Sequence, residues 1–240
     1  MPFFHHKDKL LFFVHAPKAG GSSVEDYLIR RFGDVFVYSG GPRPRKGRGA
    51  ALVVPITHLC AWDLEEFLPS KLDMIFTVVR NPLDRVLSEY RWQAGSSRAA
   101  RLTFSTWLQV MISAARMEPR TYDNHIRPTS DLVPDSAEIF RLEDGFDRLI
   151  ARVDEATGSS APELSVGHLK HRQNKSAPIR LTRQDVRLIT DYYAVDYERF
   201  GYARPDADAY DNDGMALART LAARPIARLA VAKQRRDWLQ

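Results

Sequence analysis

One cysteine, Cys60, stands in 240 residues. That scarcity excludes an intrachain disulfide framework and a cysteine-built zinc cluster, and it fits a reducing compartment. Long apolar runs are missing too. The strongest, LLFFV at residues 10–14, is far too short to span a bilayer, and no small-residue cleavage site precedes the turn at Pro17. No internal repeat is present. Charge of one sign is only mildly in excess, with Lys+Arg 35 against Asp+Glu 30 and a net charge of +5. This balance suits an anionic small-molecule partner. The densest basic segment, GGPRPRKGRG at residues 40–49, has no aromatic residues between its cations, so it lacks the stacking platforms of a single-strand nucleic-acid binder. Its glycines and prolines make it a loop, either a grip for an acidic glycan or a solvated connector. With 44% hydrophobic and 27% charged residues, the rest reads as an ordinary globular chain with one sizeable core.

Two stretches carry the chemistry. In LLFFVHAPKAGGSSVEDYLI, a buried strand (residues 10–14) runs into a tight turn with Gly20 and Gly21 and then an amphipathic helix. Backbone N–H groups at such a turn, with the positive end of a helix behind them, can cradle a phosphate or sulfate, and Lys18 adds a full charge at the rim. In MIFTVVRNPLDRVLSEY, Asn81 is placed to cap a helix and Pro82 suits its first position, while Asn81, Arg85 and Ser88 fall on one face. Arg80, at the strand end, and Ser88 are placed to hold a second phosphate. A nucleotide-hydrolase P-loop is disfavoured: its lysine directly follows the last glycine, whereas Lys18 precedes both glycines and Ala19 stands where the magnesium-binding hydroxyl should be.

Apolar strand candidates at 10–14, 51–56, 74–79 and 137–141 alternate with helical patterns at 22–32, 62–68, 82–93, 104–117, 144–153 and 183–198. This alternation predicts an α/β fold, a P-loop-like parallel sheet with helices on both faces and ligands beyond the carboxyl ends of the strands. The N-terminal residues are expected to fray around His5 and His6. Thr182 and Asp185 mark a helix start, with Val186, Ile189, Tyr193 and Tyr197 as an inward stripe. Residues 1–204 read as one catalytic domain. Residues 205–240 read as an acidic linker and an alanine- and arginine-rich helical tail, interrupted at Pro225, that packs on the domain, joins copies of the chain or lies peripherally on an anionic membrane.

On these motifs the chain resembles the sulfotransferases that use 3′-phosphoadenosine 5′-phosphosulfate (PAPS), and within them the carbohydrate sulfotransferases related to heparan sulfate 2-O-sulfotransferase. Pro17–Ser23 match the family's PKTGGTS loop, with Ala19 and Ser22 replacing the threonines, and Arg80 and Ser88 match its 3′-phosphate motif. THLCAWDL, DNHIRP, EIFRLED, HRQNKS and DYERFGY follow in the expected order. The resemblance implies sulfuryl transfer from PAPS to a carbohydrate or glycolipid hydroxyl, without a metal and without nucleic acid. It places Pro17, Lys18, Ala19, Gly20, Gly21, Ser22 and Ser23 at the 5′-phosphosulfate, and Arg80 and Ser88 at the 3′-phosphate. Lys175 and Ser176 fall where relatives fold a loop over the nucleotide; on the residues alone that segment reads equally as a polar connector. Animal relatives sit behind a Golgi anchor. This chain opens directly on the catalytic strand, which implies a soluble, bacterial and cytoplasmic form.

Transfer to a hydroxyl needs a base, and histidine suits it near neutral pH. His58, in THLCAWDL, matches the base-bearing segment of relatives and is the first choice, although the second histidine of that segment is replaced by Ile56. His125 in DNHIRP is the runner-up. His15 belongs to the donor loop in an orienting role. His168 and His171 lack the further ligands of a zinc site. Glu143 is expected to cap or brace the helix that follows it.

Overall fold

The computed structural model describes residues 1–33, 35–36, 58–65, 68–95, 102–167 and 178–239. The basic segment 40–49, the strand expected at 51–56, and His168, His171, Lys175 and Ser176 lie outside the described residues. The strands are β1 (Phe3–His6), β2 (Lys9–Val14), β3 (Val35–Phe36), β4 (Met74–Val79) and β5 (Glu138–Arg141). The helices are α1 (Gly21–Phe32), α2 (Ala61–Glu65), α3 (Pro82–Ala94), α4 (Phe104–Met117), α5 (Asp147–Thr157), α6 (Arg183–Tyr192), α7 (Ala194–Arg199) and α8 (Ala216–Leu239). They form two compact units. The first holds the described residues up to Arg80 and those from Thr129 to residue 167; the second holds Asn81–Pro128 and the residues from 178 onward.

The first unit is built on a five-stranded sheet of order β3-β1-β2-β4-β5. Strands β2, β4 and β5 are parallel, with Val14 opposite Thr77 and Val79 opposite Arg141, so their carboxyl ends share one edge. The all-parallel expectation is corrected by β1, which pairs antiparallel with both β2 and β3. The cause is local. Only Lys7 and Asp8 separate β1 from β2, and a two-residue link permits a hairpin but no parallel crossover. His5 and His6 are therefore strand residues, not a frayed end, and the Phe3 ring lies 4.4 Å from that of Phe12 across the hairpin. One face of the sheet, carrying Phe4, Leu11, Phe13, Phe76, Val78 and Phe140, is buried with Val24, Tyr27 and Leu28 of α1 and Leu149 and Val153 of α5. Phe12, Val14, Thr77 and Val79 on the opposite face are buried as well. Burial on both faces explains why these strands read as continuous apolar runs. Thr77 meets its hydroxyl's needs by donating to the Val14 carbonyl at 2.8 Å, tying β4 to the last residue of β2.

Residues Leu142–Asp144 after β5 form a short 3-10 turn, and Gly145, at φ 76°, breaks it before α5 begins. The position before α5 is Phe146, whose side chain makes no cap hydrogen bond.

The second unit is helical. Its core joins Val86 of α3, Trp107, Leu108 and Met111 of α4, Ile189 of α6, Tyr197 of α7 and Ala223, Ala227 and Val231 of α8. The expected stripe of Val186, Ile189, Tyr193 and Tyr197 is buried throughout. The single helix expected over 183–198 is instead two, because Tyr193 leaves helical geometry at φ −103° and ψ 24°. Helix α6 starts on a reciprocal cap: the Thr182 hydroxyl accepts from the Asp185 N–H, and the Asp185 carboxylate accepts from the Thr182 N–H. Helix α8 runs unbroken through Pro225, which lies on its exposed side, and Ala223, Ala227 and Val231, four residues apart, let it lie close against α4. Packing is thus what the tail does within this unit.

Candidate active site

The candidate donor loop, residues Pro17–Ser23, sits in the first unit where β2 passes into α1. Lys18 adopts a left-handed conformation at φ 64° and Gly20 another at φ 86°. For lysine that backbone costs of order 1–2 kcal/mol, so the surrounding turn must hold it there. The two glycines are required for different reasons. Gly20 needs its dihedral, and a Cβ there would also come within 3.0 Å of Leu142 Cδ1. Gly21 needs its emptiness: a Cβ would lie 2.9 Å from Cε1 and Nδ1 of the His15 ring, which forms the floor under the first turn of α1. Helix α1 begins without a side-chain cap and without an acidic residue in its first turn. Its positive end is therefore offered to an external anion, a contribution of about 0.3–1 kcal/mol for a nearby negative charge. The Ser23 and Val24 N–H groups bond the Gly20 carbonyl at 2.9 and 3.3 Å, closing the turn. Arg80, immediately after β4, reaches the Lys18 carbonyl through Nη1 at 3.5 Å. The Arg80 guanidinium thus reaches the main chain of Lys18 at the edge where the adjacent parallel strands β2 and β4 end.

His15 is fixed from α1: its Nδ1 lies 2.8 Å from Glu25 Oε1, and Glu25 is buried. The ring of His58 meets that of His15 edge-on, with centroids 5.8 Å apart. The structure thus brings His58 to the donor loop through His15. Among the described residues, no group of three or more His, Cys, Asp or Glu side chains is gathered to hold a metal ion.

Ser88 and His125 belong to the second unit. Asn81 caps α3 as expected, its side chain accepting from the Leu83 N–H at 3.0 Å, with Pro82 as first residue. Ser88 is half-buried two turns in. His125 follows three successive residues in left-handed geometry, Tyr122 (φ 56°), Asp123 (φ 56°) and Asn124 (φ 64°). Such a run persists only where neighbours over-determine it. Here they do. The buried Arg85 guanidinium donates to the carbonyls of His125 at 3.2 Å and Arg127 at 2.8 Å, and it lies 5.0 Å from the centre of the Tyr193 ring. The Tyr193 hydroxyl donates to the Ile126 carbonyl at 2.7 Å, Arg127 Nε donates to Asn124 Oδ1 at 3.0 Å, and the Tyr122 N–H donates to Gln234 Oε1 at 3.1 Å. Burial pushes the Tyr193 phenol far above its ordinary pKa against the opposing pull of Arg85, so it remains a neutral donor. His125 Nδ1 lies 2.9 Å from Glu89 Oε2, and its ring stacks on Trp92 with centroids 5.2 Å apart.

The sulfotransferase family model matches residues 1–203. The chain belongs to the sulfotransferase family. Comparison with curated proteins and with solved structures gave no match. The matched stretch contains every candidate site residue of this sulfotransferase and ends before α8. Family membership supports sulfuryl transfer as its activity. No helix among the described residues is long and apolar enough to cross a membrane.

Sequence reasoning missed Glu25, Glu89 and Gln93 as determinants of the site, and it set Arg85 on a face with Asn81 and Ser88, whereas Arg85 is buried against the His125 and Arg127 carbonyls. A signal was there: Arg85, Glu89 and Gln93 recur every four residues on the face of α3 that also carries Val86, and all are buried. Charged and amide side chains on an inward face must be paired, and those pairs are what position His125.

Proposed function

We propose that this sulfotransferase moves a sulfuryl group from PAPS to a hydroxyl of a carbohydrate or glycolipid, with residues 1–204 as the catalytic domain, residues 205–240 as an appended tail, and the cytoplasm as its location. The observation that carries the reading is the hydrogen bond from Arg80 to the Lys18 carbonyl, which sets the end of β4 beside a glycine-built helix start. The residues present fit the donor: a turn without Cβ atoms at Gly20 and Gly21, a helix N-terminus free of acidic side chains, and two cations.

When bound, PAPS supplies the sulfuryl group and a phosphate leaving group. The main-chain N–H groups of Gly20, Gly21 and Ser22 and the hydroxyls of Ser22 and Ser23 hold the 5′-phosphosulfate end. Arg80 and Ser88 take the 3′-phosphate, with Lys175 and Ser176 as further contacts, and so select this donor over nucleotides lacking that group. Lys18 neutralises charge developing on the leaving phosphate oxygen. A histidine, His58 or His125, takes the acceptor proton. Catalysis then consists of positioning, charge stabilisation and proton removal along an in-line path.

The test supplies radiolabelled PAPS or ATP to the protein with a panel of glycans and glycolipids. Label transferred only from PAPS supports the reading; magnesium-dependent transfer from ATP overturns it. Calorimetry adds a second check, since adenosine 3′,5′-bisphosphate should bind at least tenfold more tightly than AMP.

A further inference from the structure

The geometry points to Glu89, Gln93 and Trp107 as a positioning relay that fixes His125 in one tautomer, with its Nε2 as the atom that takes the acceptor's proton. This deepens, and rests on, the sulfuryl-transfer reading.

The relay has a direction. The Trp107 indole N–H can only donate, and it donates to Gln93 Oε1 at 2.9 Å. The Gln93 amide is thereby oriented, so its Nε2 donates to Glu89 Oε1 at 2.8 Å. The other Glu89 oxygen, Oε2, lies 2.9 Å from His125 Nδ1. An ionised carboxylate only accepts, so the proton of the neutral ring sits on Nδ1 and the lone pair on Nε2. Trp107, Glu89 and Gln93 are all buried, Glu89 to 2% exposure, which keeps competing water from scrambling the order. The stacked Trp92 sets the ring plane, and Arg85 holds the His125 carbonyl.

During transfer the acceptor O–H bond breaks and its proton moves to Nε2. The freed oxygen pair forms the new bond to sulfur, and the bond from sulfur to the 5′-phosphate oxygen breaks with its electron pair left on that oxygen. The imidazolium formed is stabilised by Glu89 and returns its proton to solvent. His58 lies instead against His15, whose Nδ1 is 2.8 Å from Glu25 Oε1.

The relay's polarity gives an unusual test. In Glu89→Gln, the Gln93 amide still donates to position 89, so the new side chain must turn its oxygen to Gln93 and its NH2 to His125. That moves the ring proton to Nε2. In the exchanged pair Glu89→Gln with Gln93→Glu, the carboxylate at 93 accepts from Trp107 and from the amide at 89, whose oxygen then faces Nδ1 again. Nitrogen-15 NMR of the full chain reads the tautomer without any substrate. Expected results are Nδ1–H in the wild type, Nε2–H in Glu89→Gln, and Nδ1–H restored in the exchanged pair. In parallel, kcat falls about 10²–10⁴-fold in Glu89→Gln and recovers at least tenfold in the exchanged pair, with bisphosphate affinity within about twofold throughout. A wild-type ring protonated at Nε2, or a tautomer indifferent to Glu89→Gln, overturns the relay. Recovery of the tautomer without recovery of kcat removes His125 from proton transfer. Tautomer shifts as expected in a protein that transfers no sulfuryl group from PAPS uphold the positioning and overturn the proposed function instead.

Discussion

Replacing Gly21 with alanine separates a steric requirement from a conformational preference. Alanine is favoured over glycine within a helix by up to about 1 kcal/mol, and Gly21 is the first residue of α1, so helix propensity alone predicts stabilisation. The ring beneath decides otherwise. A Cβ at 2.9 Å from His15 Cε1 and Nδ1 and 3.0 Å from Nε2 is roughly half an ångström inside ordinary contact with three atoms of one ring. Tilting the ring away would stretch the 2.8 Å contact with the buried Glu25, and overfilled sites of this kind cost about 1–3 kcal/mol. With a helix gain of up to about 1 kcal/mol set against a cost in the upper part of that range, net destabilisation is about 1–2 kcal/mol, a fall in thermal midpoint of roughly 2–8 °C for a chain of this length. Differential scanning calorimetry of Gly21→Ala, His15→Ala and the double variant provides the assay. In the His15→Ala background the clash is gone, and the same Gly21→Ala change should be neutral or stabilising. An equal cost with and without the His15 ring, or no cost with it, would refute the steric account.

Further outcomes rest on other parts of the chain. Arg85→Ala removes the donor to two carbonyls and the cation 4.0 Å from the buried Asp196, and should cost about 3–5 kcal/mol by chemical denaturation. Pro225→Ala, on the exposed side of α8, should stabilise by roughly 1–3 kcal/mol, measured as a higher thermal midpoint. His125→Ala should lower kcat about 10²–10⁴-fold and His58→Ala by less than tenfold in a sulfuryl-transfer assay. The Asp73 carboxyl is held below its ordinary pKa by the Leu10 N–H first and then by Lys9. Its stabilisation is complete above the unfolded value of about 3.9 and is lost as pH falls through the lower folded value, so Asp73→Asn should flatten the acid limb of a stability-versus-pH curve.

Most of what was legible in the sequence was local. The strand over 74–79, the Asn81–Pro82 start of α3 and the Thr182–Asp185 cap of α6 are each specified by residues within one turn of where they act, and each stands where those residues predict it. The loop Pro17–Ser23 was legible because two adjacent glycines between an apolar strand and a helix mark a turn whose backbone goes where a side chain cannot. What escaped was set by distance along the chain. The β1 pairing hid in a four-residue strand containing two histidines, a pattern that reads as polar until the hairpin faces it with β2. The break at Tyr193 hid because its hydroxyl is drawn to the Ile126 carbonyl, which no periodicity encodes.

The same limit explains the site. His15 and His125 each have Nδ1 within 2.9 Å of a glutamate on a helix, and neither pairing is visible as a motif. Glu25 lies ten positions after His15, whereas Glu89 lies 36 before His125. The two pairs nevertheless differ in kind. A Glu25 carboxylate accepts from His15 Nδ1 just as Glu89 accepts from His125, and what marks His15 as a floor is that its Cε1, Nδ1 and Nε2 all lie within 3.0 Å of where a Cβ at Gly21 would stand. Glu89 is different, because Gln93 and Trp107 impose a donor-to-acceptor order that ends on one nitrogen of His125. A ring that only fills space needs no such order. On the proposed mechanism, the buried chain of donors that holds the Glu89 carboxylate is what separates the His125–Glu89 pair from the His15–Glu25 pair.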